Sequence, residues 1–93
     1  MSRDIVLSYR FRQVVRRYPK PVRIETGKAI DRVQLSLGSP HRHTGLSIRK
    51  LVKDYFEMRV GLKLRLIFRI KPESVTIVFA GKHEEIRRFL KQL

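Results

Sequence analysis

The run FEMRVGLKLRLIF, residues 56–68, places Glu57, Arg59 and Arg65 at alternate positions among apolar residues. If the run is two strands joined at Gly61, side chains alternate between faces. Phe56, Met58 and Val60 then point one way, and Tyr55, Glu57 and Arg59 the other. One face carries a carboxylate among arginines. Guanidiniums offer planar donor forks that match phosphate oxygens. His83, just past the last apolar run, is the side chain best suited to exchange a proton near neutrality. Together these residue types can hold a phosphodiester and move protons around it. They also admit a plain structural account: Glu57 pairs with Arg59 or Arg65 across the strands, the arginines are solvated, and His83 precedes or caps a helix.

The elements that would position these residues are legible in the periodicity. Asp4 to Leu7 reads as a short strand, and Leu7, Phe11, Val14, Val15 and Tyr18 follow at helical spacing until Pro19 and Pro21 stop the helix. Thr26, Ala29, Ile30, Val33 and Leu37 give a second helical stripe, weakened by Gly27 and ended by Gly38 and Pro40. GSPHRHTG, residues 38–45, is a loop by composition. Beyond it the period becomes two. Leu64, Leu66, Phe68 and Ile70 form one face of a strand and Lys63, Arg65, Ile67 and Arg69 the other, KPES turns, and VTIVFA reads as an inner strand apolar on both faces. Ile86, Phe89, Leu90 and Leu93 then mark a final helix, with Glu84 and Glu85 in its first turn and Lys91 in its last, as the helix dipole favours. The predicted fold is one α+β domain over residues 1–93, ordered β-α-α-β-β-β-α, with helices packed on one face of an antiparallel sheet and charges on the other.

Ninety-three residues hold one modest core and exclude a two-domain enzyme. Twenty-two Lys and Arg against eight Asp and Glu give a net charge of +14. The excess is spread along the chain, with nine basic and three acidic residues in 1–37 and thirteen and five in 38–93. Such a charge seeks a polyanion or an acidic protein partner, and nucleic acid is the first candidate. No cysteine is present, which excludes a disulfide framework, a zinc ribbon and a thiol nucleophile. The N-terminus lacks the apolar core of a signal peptide and no run reaches membrane-spanning length, so a cytoplasmic protein with no membrane partner is expected. His41 and His43 alone, without cysteine or a nearby carboxylate, make a poor metal set, and no metal or cofactor is expected.

Three segments, HTGLSIRKLV, YFEMRV followed by LRLIFRI, and FAGKHEEIRRF, resemble in order and spacing the corresponding segments of the RelE/ParE superfamily, small toxins of toxin–antitoxin pairs. The resemblance implies a RelE-like fold, a cognate antitoxin with an acidic toxin-binding segment, and, for the ribosome-dependent members, metal-free cleavage of messenger RNA in the ribosomal A site by attack of a ribose 2′-hydroxyl on its own phosphate. That chemistry needs a base, a cation for the phosphorane and an acid for the leaving oxygen. Arg65 resembles the family's strand arginine, Arg59 adds charge stabilisation, His83 is the candidate acid and Glu57 the candidate base. Lys50 and Lys53, with Lys63, Arg69 and Lys82, are the candidate RNA-binding residues. Tyr55 or Phe56 either stacks on a base or packs inside. Several nuclease relatives carry a tyrosine in the final helix where this chain has Phe89, which leaves the proton work to His83. Two other functions stay open: a ParE-like gyrase inhibitor without nuclease chemistry, and a non-catalytic basic RNA-binding module.

Overall fold

The computed structural model describes residues 4–37 and 48–93. Its elements are β1 (Asp4–Leu7), α1 (Tyr9–Arg16), α2 (Lys20–Leu37), β2 (Arg49–Lys50), β3 (Tyr55–Val60), β4 (Leu64–Ile70), β5 (Ser74–Gly81) and α3 (His83–Lys91). They form one five-stranded sheet in the order β1-β5-β4-β3-β2. β2 to β5 pair antiparallel, and β1 returns alongside β5 in parallel. Among the described residues no helix is long and apolar enough to cross a membrane. The 38–45 loop, with His41 and His43, lies outside the described residues.

α1 continues the line of β1 and takes over the exposed edge of β5. The Ser8 amide donates to the Ile77 carbonyl at 3.0 Å, the Ser8 hydroxyl donates to Val78 O at 3.2 Å while accepting from the Phe11 amide, and the Tyr18 hydroxyl donates to Ala80 O at 3.2 Å. Carbonyls that would be orphaned where β1 ends are thus satisfied by the residues that flank the helix. Burial, and secondarily the Glu85 charge, pushes the Tyr18 phenol pKa up. α2 starts earlier than its apolar stripe, at Lys20, because Pro19 O accepts the amides of Val22 and Arg23. Pro21, in the first turn, lacks only an amide that would have had no helical partner.

Alternation sends Met58, Val60, Leu66, Phe68, Val75 and Ile77 into one core beneath Phe11, Ala29 and Val33. Ile67, on the opposite face, joins Phe79, Ile86 and Phe89 in a second cluster under α3. The final helix therefore closes over part of the face that carries the charges, leaving the β2–β4 side open. The switch of faces in β5 comes from a bulge. Phe68 pairs with Ile77 and Ile67 with Phe79, so Val78 is the extra residue, and Ala80 returns to the α2 side. Burying Ile86 and Phe89 contributes about 1.5–3 kcal/mol each to holding α3 down.

Candidate functional site

Three strands set the polar face. In the β2–β3 ladder Arg49 lies opposite Glu57, and in the β3–β4 ladder Arg59 lies opposite Arg65. Opposed like charges repel, and Glu57 lies between them and Arg49. Its Oε1 accepts from Arg49 Nη2 at 2.8 Å and Arg65 Nη1 at 2.9 Å. The carboxylate side chain is only 6% exposed, against 20% for Arg65 and 67% for Arg49. Three guanidiniums around one carboxylate leave a net +2 in a cleft of about 410 Å³ lined by Ile48, Arg49, Glu57, Arg59 and Arg65. That arrangement can accept an anion of phosphate size and grip it from several sides.

Arg65 also borders a second cleft of about 270 Å³, lined by Leu62, Lys63, Lys82, His83 and Glu84. The link is made by the β4–β5 ladder, in which Gly81 lies opposite Arg65 and delivers Lys82 and His83 at once to the same end of the sheet. α3 begins here. Lys82 has no side-chain acceptor to cap it, and its amide instead donates to Glu85 Oε1 at 2.9 Å. Gly81 makes that closure easy, since a Cβ there would lie 3.0 Å from the Glu85 Cβ and 3.1 Å from the Phe79 ring, tight enough that one of them would have to shift. His83 is exposed at the first position of the helix.

Six of the expected residues are thus gathered around Arg65: Glu57, Arg59, Lys63, Lys82, His83 and Arg65 itself. The other three are placed elsewhere. Arg69, four residues along the strand and about 13 Å away, is engaged by Asp54 through Nε at 3.2 Å and Nη2 at 3.0 Å, and lies 5.0 Å over the Tyr55 ring. Lys71 reaches the same carboxylate at 2.7 Å, and these bonds to Arg69 and Lys71 hold the Asp54 carboxyl well below the usual carboxylate range. Lys50 pairs with Phe56, so it leaves β2 on the opposite face from Arg49. Lys53 occupies a left-handed turn position at φ 55.

The aromatics pack. Phe56 stacks on Phe68, Tyr55 meets Phe89 edge-on at 6.3 Å, and Phe89 lies parallel to Phe79 at 5.0 Å, 7% exposed. Arg49 is the residue that sequence reasoning missed. The run IRKL ahead of the hairpin gives no period that would set Arg49 apart from Lys50. Among the described residues no group of three or more His, Cys, Asp or Glu is placed to hold a metal.

No protein-family model matches the chain, and no curated protein matches it. Solved structures do. A chain of the archaeal RelE–RelB complex from Pyrococcus horikoshii OT3 superposes with a TM-score of 0.70 at 15% identity, covering 88% of this chain and 96% of that one. A chain of the intact E. coli RelBE toxin–antitoxin complex gives 0.66 at 18% identity, covering 87% and 96%. The YoeB/ParE toxin from Agrobacterium tumefaciens gives 0.62 at 13%, covering 86% and 98%. Nearly the full length of each is covered, and this chain has the fold of the RelE-type toxins.

Proposed function

We propose that this protein is the toxin of a toxin–antitoxin pair and acts as a metal-independent endoribonuclease on messenger RNA at the ribosome, in the cytoplasm. The observation that carries the reading is Arg65, braced by Glu57 and shared between a cationic cleft and the cleft holding His83. In the proposed reaction the scissile phosphate enters among Arg49, Arg59 and Arg65. The ribose 2′-oxygen attacks phosphorus and the bond to the 5′-oxygen breaks, giving a cyclic phosphate and a 5′-hydroxyl. The guanidiniums offset the charge growing on the phosphorane. His83 gives a proton to the departing 5′-oxygen. Glu57 accepts the 2′-hydroxyl proton through Oε2, since both arginines engage Oε1, and the same pairing makes it a weak base. Lys63 and Lys82 flank the strand beside His83. A cognate antitoxin with an acidic segment would neutralise the open cationic face.

Induced expression of wild type, His83→Ala and Arg65→Ala, with mapping of messenger RNA 5′ ends, tests this. Growth arrest with frame-phased cuts that vanish in both variants is expected. Arrest with intact messages and broken DNA would replace the reading with gyrase inhibition, which is favoured by one feature: Phe89 is a buried ring with no hydroxyl to offer. Steeply salt-dependent RNA binding with no cleavage and no arrest would leave a basic binding module.

A further inference from the structure

The tip of the β3–β4 hairpin carries a side chain that the fold does not bury. Gly61, at φ 69, opens the turn, and Leu62 follows it, 100% exposed, more than any other large hydrophobic among the described residues. Asn, Asp or Gly would hold such a turn at less cost. One exposed leucine is ordinary on a protein surface, but this one continues into an apolar groove of about 410 Å³ between the hairpin and the start of α2. Val22, Val60, Leu62 and Leu64 line the groove, and Glu25 and Lys63 supply its charges. Leu62 and Lys63 also line the cleft that holds Arg65, Lys82 and His83. The hairpin tip is therefore a wall shared by an apolar groove and a cationic cleft.

We infer that this groove seats a nucleobase of the RNA strand whose phosphate enters the Arg65 cleft, with Leu62 packed against the face of the base. The inference rests on the function proposed above and names a substrate contact for it. Leu62 precedes Arg65 by three residues, no more than about 11 Å of chain, so base and phosphate belong to neighbouring parts of one strand. A nucleotide has a charged backbone and a flat base whose face accepts apolar contact, and the two sides of the hairpin tip match those two parts. Glu25 repels phosphate, which turns the backbone toward Lys63 and the base into the groove. The same carboxylate balances Lys63, so the groove has no net charge and, unlike the open cationic face, offers an acidic protein segment no attraction. An aliphatic side chain touches the face of any base and reads none of its edges. Leu62 is thus a positioning residue, which holds the strand in place without selecting its sequence.

The test is fluorescence anisotropy at low salt with a labelled trinucleotide, 2′-O-methylated so that it cannot be cut, and with its fully abasic counterpart. Wild type, Leu62→Ser and Val52→Ser are compared, Val52 being an exposed apolar residue that lines neither the groove nor the cleft. Circular dichroism would establish that each is folded. Leu62→Ser is expected to weaken binding of the trinucleotide roughly 4- to 12-fold, the factor for covering about half of a leucine side chain, and to leave binding of the abasic backbone unchanged. Val52→Ser should match wild type with both. Equal losses with the two oligonucleotides, no loss with either, or no preference of wild type for the one with bases would overturn the inference. So would unchanged RNA binding together with a wild-type dimer that Leu62→Ser converts to monomer in sedimentation, which would assign the tip to a second copy of the chain. The oligonucleotide cannot be cleaved, so a base-dependent loss in a protein that leaves messages intact would sink the nuclease reading alone, and frame-phased cuts from a protein without that loss would sink this inference alone.

Discussion

The bracing of Arg65 by Glu57 can be measured as a coupling energy. The two contacts of Glu57 Oε1 are nearly equal in length, 2.8 and 2.9 Å, but their surroundings differ. Arg65 is 20% exposed and Arg49 is 67% exposed, so solvent screens the second pair far more than the first. A charge-assisted bond in partial burial is worth about 1.5–3 kcal/mol, whereas an exposed pair contributes about 0.2–1 kcal/mol. A double-mutant cycle with Glu57→Gln and Arg65→Met, followed by urea denaturation, should give a coupling near 2 kcal/mol that persists at high salt. The parallel cycle with Arg49→Met should give less than about 1 kcal/mol and fade as salt screens it. Equal couplings, or none between Glu57 and Arg65, would refute the claim that Glu57 holds Arg65 in place. The same Glu57→Gln protein separates two roles. Retained arrest would make the carboxylate a positioning residue only, and lost arrest from a folded protein would agree with proton transfer.

Asp54→Asn should destabilise the fold at neutral pH. Because the Asp54 pKa is depressed on folding, the deficit is fully present above the unfolded value of 3.8 and shrinks as pH falls below it, so a deficit that stays constant from pH 7 to 2 in thermal melts would count against the Arg69–Lys71 clamp. Lys53→Gly should raise stability by roughly 0.5–1 kcal/mol, since φ 55 strains a side chain that glycine lacks; a lowered melting temperature would contradict it. Phe89→Ala should cost about 3–5 kcal/mol by opening a cavity against Phe79 and Tyr55, and a near-neutral effect would mean that α3 is not held by that ring. Cleavage should be unchanged by EDTA, and restoration by Mg²⁺ or Zn²⁺ after its loss would end the metal-free mechanism.

The parts of the fold visible in the sequence are those long enough to show a period. The β3–β4 hairpin was marked by strict alternation around Gly61, whose φ of 69 suits glycine, and α3 by Ile86, Phe89 and Leu90 on one stripe. β2 has two residues and no period to read, so Arg49, which that strand sets opposite Glu57, was invisible. The start of α2 was hidden by its prolines, which signal a break within a helix and are tolerated in its first turn. The Val78 bulge inverts the parity of β5, and nothing in VTIVFA says where an extra residue sits. Arg69 looked equivalent to Arg65 in the alternation. Only the turn before β3, which brings Asp54 to the far end of β4, distinguishes the engaged arginine from the one beside His83.

A carboxylate inside a phosphate site lowers its affinity, and on the proposed function that cost is intelligible. Without Glu57, Arg59 and Arg65 would face each other as directly opposed like charges, and no other described residue would pair with Arg65 to fix its direction. With it, one guanidinium is already aimed when the substrate arrives, and no reorganisation is left for the transition state. The remaining +2 holds a phosphodiester only weakly in the ground state, which leaves more of the interaction for the more highly charged phosphorane. A site built this way depends on something else to present the RNA. Such presentation fits the reading in which the ribosome positions the message.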